Sequence, residues 1–182
     1  MTPIVIDACC VINLAAADAF DTWLPRLRAK WMIPHAVVEE ALFLRAFDEH
    51  GEPGREPIDL GRFIARAMLE VVAPESDEEL AAYVAYARDL DDGEAMALSL
   101  AESRGWILAT DDRRALILAE SASVPVLGTP ELLRRWVDTE APEPQLVAET
   151  LLQIKQRARY LPGVRSPLFD WWMARLPAST DR

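Results

Sequence analysis

At 182 residues, with 51% apolar and 27% charged residues, the chain fits one globular domain with an appended helical piece and can bury its own core. Its net charge of −11 excludes a broadly basic face for long nucleic acid, and the excess lies wholly in residues 1–100, with 19 acids against 8 bases, whereas residues 101–182 carry 11 of each. No uncharged apolar run approaches the roughly 20 residues that span a bilayer, no signal-like start is present, and the adjacent Cys9 and Cys10 lack zinc or redox spacing, so a cytoplasmic, reducing setting without a membrane partner is expected.

In chain order, "PIVI" predicts a buried strand ending at Asp7, and "VINLAAADAFDTWLPRLRAK" after it has helical spacing. "WMIP" predicts a second strand, "HAVVEEALFLRAF" a helix, and "DEHGEPGREP" a polar loop rich in Gly and Pro. "DLGRFIARAML" predicts another helix, followed by "EVVAP". Ser76 with Glu79, and Asp91 with Glu94, are capping-box pairs that open two further helices, and Gly105 is placed to end the second of them. "WILAT" predicts a strand, "DDRRALILAESA" a helix and "VPVLG" a strand, after which Thr129 and Pro130 are expected as cap and first residue of the next helix. The prolines of "DTEAPEPQ" mark a boundary, giving a main domain over 1–138 and a helical extension over 139–182 packed on the same domain. Strands alternating with helices predict a three-layer α/β/α sandwich with a mainly parallel central sheet.

In such folds ligands sit beyond the carboxyl ends of the strands. Asp7 ends one strand, and Asp111 and Asp112 follow another, while the acids that open helices approach the same edge. Angles of about 100° per residue place Glu94 on one face with Leu98 and Ala101, Asp112 with Leu116 and Ala119, and Glu40 beside a stripe of Val37, Ala41 and Leu44. Taken singly, Glu94, Asp111 and Asp112 are accounted for as helix caps and Glu40 as a solvated flank. Taken together, converging carboxylates repel one another and raise their own pKa values until a divalent cation joins them. Oxygen ligands without His or Cys suit Mg²⁺ or Mn²⁺, and such a site suits phosphodiester hydrolysis. His35 and His50 are isolated and read as incidental.

Four segments in order, "VIDACCVINL", "IPHAVVEEAL", "LDDGEAMALSLA" and "ILATDDRRA", resemble the acidic motifs of the PIN domain, the ribonuclease domain of VapC toxins and related bacterial proteins, over residues 3–137. The "LDxGEA" and "TDDRRA" forms are similar to an extended bacterial branch with added C-terminal helices. The resemblance implies a PIN-like fold and places the metal-binding acids on Asp7, Glu40, Glu94 and Asp112, with Asp111 and Asp91 as neighbours that substitute or assist. Thr110 matches a hydroxyl position beside the family's site, whereas Ala8 and Cys9 stand where the family has Ser, Thr or another small residue. It also implies metal-dependent endonucleolytic cleavage of an RNA substrate, allows a homodimer, and for a toxin implies a protein antitoxin that blocks the crevice.

Arg113 and Arg114, beside the expected site, are candidate phosphate contacts. Lys155 and Arg159 share a helical face that reads as solvated, and Trp136, Trp171 and Trp172 read as packing residues rather than base-stacking ones. A phosphatase of the haloacid dehalogenase type would need a second Asp where Cys9 stands. The other alternative is a catalytically silent PIN module that binds RNA or a protein.

Overall fold

Ile4, Val5 and Ile6 form β1 (Ile4–Ile6), buried along its whole length, as a central strand covered on both sides requires. The computed structural model, which describes residues 2–47 and 50–177, places β1 at the middle of a parallel five-stranded sheet. Its other strands are β2 (Trp31–Pro34), β5 (Glu70–Val72), β6 (Ile107–Ala109) and β7 (Val126–Leu127), in the order β5-β2-β1-β6-β7. Ile4 is in register with Trp31 on one side and Ile107 on the other. Because side chains alternate along a strand, Ile4 and Ile6 join one apolar layer while Val5, with Met32 and Leu108, joins the other.

The first layer is covered by α1 (Ala8–Ala16), α8 (Thr129–Glu140) and α9 (Pro144–Gln153). The second is covered by α6 (Asp92–Arg104) and α7 (Arg113–Ser121), with α5 (Asp77–Tyr86) packed on α6. Ser76 caps α5 and Asp91 caps α6, each side-chain oxygen accepting the backbone N–H three residues on, and Gly105 ends α6 in the left-handed conformation at φ 62°. Val147, Leu151, Ile154 and Trp172 enter the same apolar layer as Ile4. Trp172, on the short α10 (Phe169–Met173), is fully buried, and Trp136 stacks on Trp23 at 5.0 Å. Residues 178–182 of the expected extension lie outside the described residues.

Several expectations require correction. The long first helix is broken: α1 ends at Ala16, Asp18 turns left-handed at φ 50°, and α2 (Ala19–Thr22) and a 3₁₀ turn (Leu24–Leu27) follow. The helix expected across "HAVVEEALFLRAF" stops as α3 (His35–Glu39), and the chain then forms an antiparallel hairpin of β3 (Phe43–Phe47) and β4 (Pro53–Pro57). Leu42 and Leu44, two apart, are buried while Phe43 between them is exposed; that alternation belongs to a strand and overrides the helical reading. Of the polar loop expected over 48–57, β4 takes 53–57, and Asp48 and Glu49 lie outside the described residues. The helix after Asp59 is short, α4 (Leu60–Ala65). Gly128, not Thr129, is the N-cap of α8, because the Thr129 hydroxyl is donated to Asp111. Past α9, a π turn (Ile154–Ala158) leaves Arg159 left-handed and outside the helix, so Lys155 and Arg159 do not share a regular helical face.

Candidate active site

The site begins where β1 and β6 end. Ile6 and Ala109 are in register, the Asp7 N–H donates to the Ala109 carbonyl at 3.1 Å, and the next pair across the ladder is Asp7 and Thr110. Thr110, fully buried, therefore donates its hydroxyl to the Asp7 carboxylate. Asp7 is only 1% exposed and serves as N-cap of α1, accepting the Cys10 N–H at 2.9 Å, while the Cys9 thiol donates to its oxygens at 3.0 and 3.1 Å. Burial raises the Asp7 carboxyl to about 6, against the pull of these donors and with the help of the Asp111 charge. No cationic side chain among the described residues pairs with it.

Glu94 enters from the first turn of α6. Leu98 and Ala101 on its face are buried, as the helical spacing anticipates, and Glu94 itself is half-buried. Its carboxyl is raised to about 7, first by burial and then by the charges of Asp91, Asp112 and Asp7, so two sequence-distant acids, Asp112 and Asp7, lie within electrostatic reach of it beside its own helix cap Asp91. Asp92 turns the other way and accepts the Tyr83 hydroxyl at 3.0 Å.

Glu40 sits just past α3 in extended backbone and is half-buried. The stripe expected beside it presumes a helix that does not continue, since Ala41 is exposed and Leu44 belongs to β3. It reaches α6 nevertheless, because its carboxylate lies over Gly93: a Cβ there would stand 2.3 Å from Oε1 of Glu40 and 2.9 Å from the Val37 side chain. Burial raises the Glu40 carboxyl, with the charges of Asp91 and Asp92 adding to the effect. Glu40 is therefore coupled to the opening turn of α6 rather than directly to Asp7.

Asp111 and Asp112 differ in what their oxygens do. Asp112 is the N-cap of α7; one oxygen accepts the N–H groups of Arg114 and Ala115 at 2.7 and 2.9 Å, and the other accepts no hydrogen bond among the described residues. The buried face of α7 is Ala115 and Ala119, with Leu116 39% exposed, so Asp112 approaches the site through its cap position and not through the expected stripe. Asp111 has both oxygens engaged: one accepts the Thr129 N–H at 3.0 Å and the Tyr160 hydroxyl at 2.8 Å, the other the Asn13 amide at 2.9 Å and the Thr129 hydroxyl. Sequence reasoning did not single out Asn13 or Tyr160 and gave Thr129 only a capping role. The signal for Asn13 is its place six residues after Asp7 in an otherwise apolar helix, where a buried amide demands a partner. Arg113 and Arg114 are exposed on the first turn of α7, and Arg114 is ion-paired with Asp89.

One carboxylate oxygen of Asp7 and the sulfurs of Cys9 and Cys10 lie within 4.8 Å of one another. The Cys10 thiol is pushed well up by burial, the hydrogen bond with Cys9 and the Asp111 charge. The Cys10 contact lowers the Cys9 thiol, but burial with the Asp7 and Asp111 charges outweighs it and leaves a net rise. Both sulfurs are thus held as thiols, and the anionic donors of the crevice are carboxylate oxygens. Such a donor set, with its negative charge uncompensated, suits a hard divalent cation.

PAE2754 from Pyrobaculum aerophilum, a solved structure, is 22% identical to the chain with a TM-score of 0.46, over 76% of this chain and 98% of that one. No curated protein matches the sequence. The family profile of the PIN domain matches residues 3–164, a span that contains every element contributing a carboxylate to the crevice, and the chain belongs to the PIN-domain family.

Proposed function

We infer that the protein is a metal-dependent endoribonuclease that hydrolyses RNA phosphodiester bonds, with Asp7, Glu40, Glu94 and Asp112 as its metal-holding carboxylates and Mg²⁺ or Mn²⁺ as its cofactor. The observation that carries the reading is the elevation, by burial first, of Asp7 to about 6 and of Glu94 to about 7, with the charges of Asp91, Asp112 and Asp7 raising Glu94 further and no base among the described residues paired with either. Buried acids without a cationic partner, close to other acids, are a feature of functional sites. Membership of the PIN family supports nuclease chemistry.

Asp7, fixed by Thr110, Cys9 and the Cys10 N–H, presents its carboxylate in one orientation at the mouth of β1. Asp112 offers its uncapped oxygen from the neighbouring loop, and Glu94 faces both from α6. Glu40, lying over the α6 turn that carries Glu94, would hold the cation through water, and Asp111 holds the β6–α7 loop to α1 and α8 instead of serving as a ligand. A bound divalent cation supplies Lewis-acid stabilisation of the phosphoryl transition state and activation of the attacking water. Arg113, exposed at the rim, is placed to meet a substrate phosphate. If the chain acts as a toxin, its antitoxin would silence it by covering these carboxylates.

The test is cleavage of mixed single-stranded RNA with Mg²⁺, with Mn²⁺ and with chelator, for wild type and Asp7→Asn. Asn keeps the N-cap of α1 and removes the charge, so the variant should fold and lose at least about a hundredfold in rate. Undiminished activity in Asp7→Asn or in chelator would overturn the assignment, and a silent PIN module would bind RNA without cutting it under any of these conditions.

A further inference from the structure

The β3–β4 hairpin and the π turn after α9 enclose a groove of about 600 Å³ whose lining includes Arg45, Arg55, Arg157 and Arg159 together with Phe43. In a chain of net charge −11 this is a local reversal of sign, and the carboxylate site does not use it. Arg45 and Arg55 are direct cross-strand partners in the hairpin register, which sets the two arginines side by side along the groove. Arg157 is the anchor: it donates to the Ala16 carbonyl at 3.0 Å and to Glu56 at 2.9 Å, fastening the π turn to α1 and to β4. Arg159, by contrast, is exposed and forms no ion pair among the described residues, and the Arg55 guanidinium stands 5.9 Å from the ring centroid of Phe43, which is 40% exposed.

The groove also adjoins the acidic crevice. Ala41 and Leu42 line it directly after Glu40, so one end begins a single peptide unit along the chain, about 3.8 Å between Cα atoms, from the residue whose carboxylate lies over Gly93. At the other side Arg159 precedes Tyr160, whose hydroxyl is bonded to Asp111 at 2.8 Å. Guanidinium groups along a channel with an exposed aromatic among them match the chemistry of single-stranded nucleic acid, in which phosphates meet the cations and a base stacks on the ring.

We propose that this groove is the holding site for the single-stranded RNA that flanks the scissile phosphodiester, with Arg55 and Arg159 on phosphates and Phe43 under a base. The inference rests on the ribonuclease reading and adds a substrate-positioning surface to it. It accounts for how an acidic protein retains a polyanion: carboxylates occupy the crevice, and arginines from both the hairpin and the π turn line the adjoining groove.

The experiment is fluorescence polarisation of a labelled single-stranded oligouridylate with EDTA present, so that binding is read without cleavage, over a range of salt concentrations. Arg55→Ala with Arg159→Ala should weaken binding about tenfold or more and flatten the log–log salt slope by about 0.7 for each phosphate left without its arginine. The Arg55→Lys with Arg159→Lys pair should restore most of the slope, Phe43→Ala should weaken binding with the slope unchanged, and Arg135→Ala, exposed on α8, should change neither. Unchanged affinity and slope in the double alanine variant would overturn the proposal. So would displacement of the RNA by polyglutamate of matched charge with no effect of Phe43→Ala, which would make the groove a surface for an acidic polypeptide. RNA cleavage by wild type alongside an indifferent double variant removes the groove and leaves the nuclease; Arg-dependent binding without cleavage removes the nuclease and leaves the groove.

Discussion

Gly93 shows how one missing side chain organises the site. An exposed glycine inside a helix normally gains about 1 kcal/mol when replaced by alanine. At Gly93 the added methyl would meet Oε1 of Glu40 at 2.3 Å and the buried Val37 at 2.9 Å. Glu40 is half-exposed and can swing aside, but Val37 is fully buried and cannot, and overpacking of that kind costs about 1–3 kcal/mol. Gly93→Ala is therefore expected to lose stability by about 1–2 kcal/mol in urea unfolding and to lower activity by displacing Glu40; a variant more stable than wild type would show that Val37 relaxes freely. The glycine is visible in "DDGEA", but its partner is not, because the contact joins residues 53 apart in sequence. The same distinction separates the legible acids from the illegible ones. Asp7 and Glu94 are marked by local signals, an acid ending an apolar strand and a face shared with Leu98 and Ala101. The fixing of Asp111 by Asn13, Thr129 and Tyr160 depends on three elements that meet only in the fold.

Among elements, α5 and α6 are joined by one ion pair that carries a measurable signature. Arg104, near the end of α6, donates through Nε to Glu79 at 2.6 Å and through Nη2 at 2.9 Å to the same carboxylate and at 2.9 Å to the Ala73 carbonyl. Their side chains are 17% and 10% exposed, so the pair is shielded from solvent. The Arg104 hydrogen bonds are the main reason the Glu79 carboxyl is held down at about 2. A depressed acid stabilises the fold above its unfolded value, near 4.5, and the contribution is lost as pH falls through about 2. Glu79→Gln should cost about 2–3 kcal/mol at neutral pH, the range of hydrogen bonds to charged groups. The urea midpoints of variant and wild type should converge as the pH approaches 2, and a gap that persists there would mean that packing, not charge, joins the helices. The capping pair Ser76 and Glu79 announces α5, whereas nothing announces the β3–β4 hairpin: the residues of β3 read as the end of a helix and those of β4 as a polar loop. Its strands are five residues each, and the buried positions Leu42 and Leu44 are too few for a period of two to stand out against the helical spacing around them.

At the scale of the whole molecule, the alternation of apolar strands with helices is enough to anticipate the layers, since a parallel strand must be covered on both faces and only crossover helices can do so. What that fold then does is hold charge against its own stability, and pH exposes the conflict. Asp7 is raised from 3.8 to about 6 and Glu94 from 4.5 to about 7. Protonation of a raised acid favours the folded state, so their contribution is fully present below about 4 and is lost as pH rises through about 6 and then about 7. For the buried Asp7 the rise from 3.8 to about 6 corresponds to about 3 kcal/mol. In chelator, the thermal midpoint should accordingly fall between pH 5 and pH 8, against the usual behaviour of surface carboxylates. Asp7→Asn should remove the Asp7 share of that fall, leaving the share of Glu94 on the way to about pH 7, and be the more stable protein at the alkaline end. Magnesium should act in the opposite sense: it binds the ionised carboxylates, displaces their protons and stabilises the fold by about 2.7 kcal/mol at a hundred times its dissociation constant, with the larger effect at the higher pH. Calorimetric titration in two buffers of different ionisation enthalpy would register those protons, and Asp7→Asn should release fewer. A midpoint that stays level from pH 5 to pH 8 in chelator, or a magnesium response of equal size in Asp7→Asn, would place the cation elsewhere than at the ends of β1 and β6.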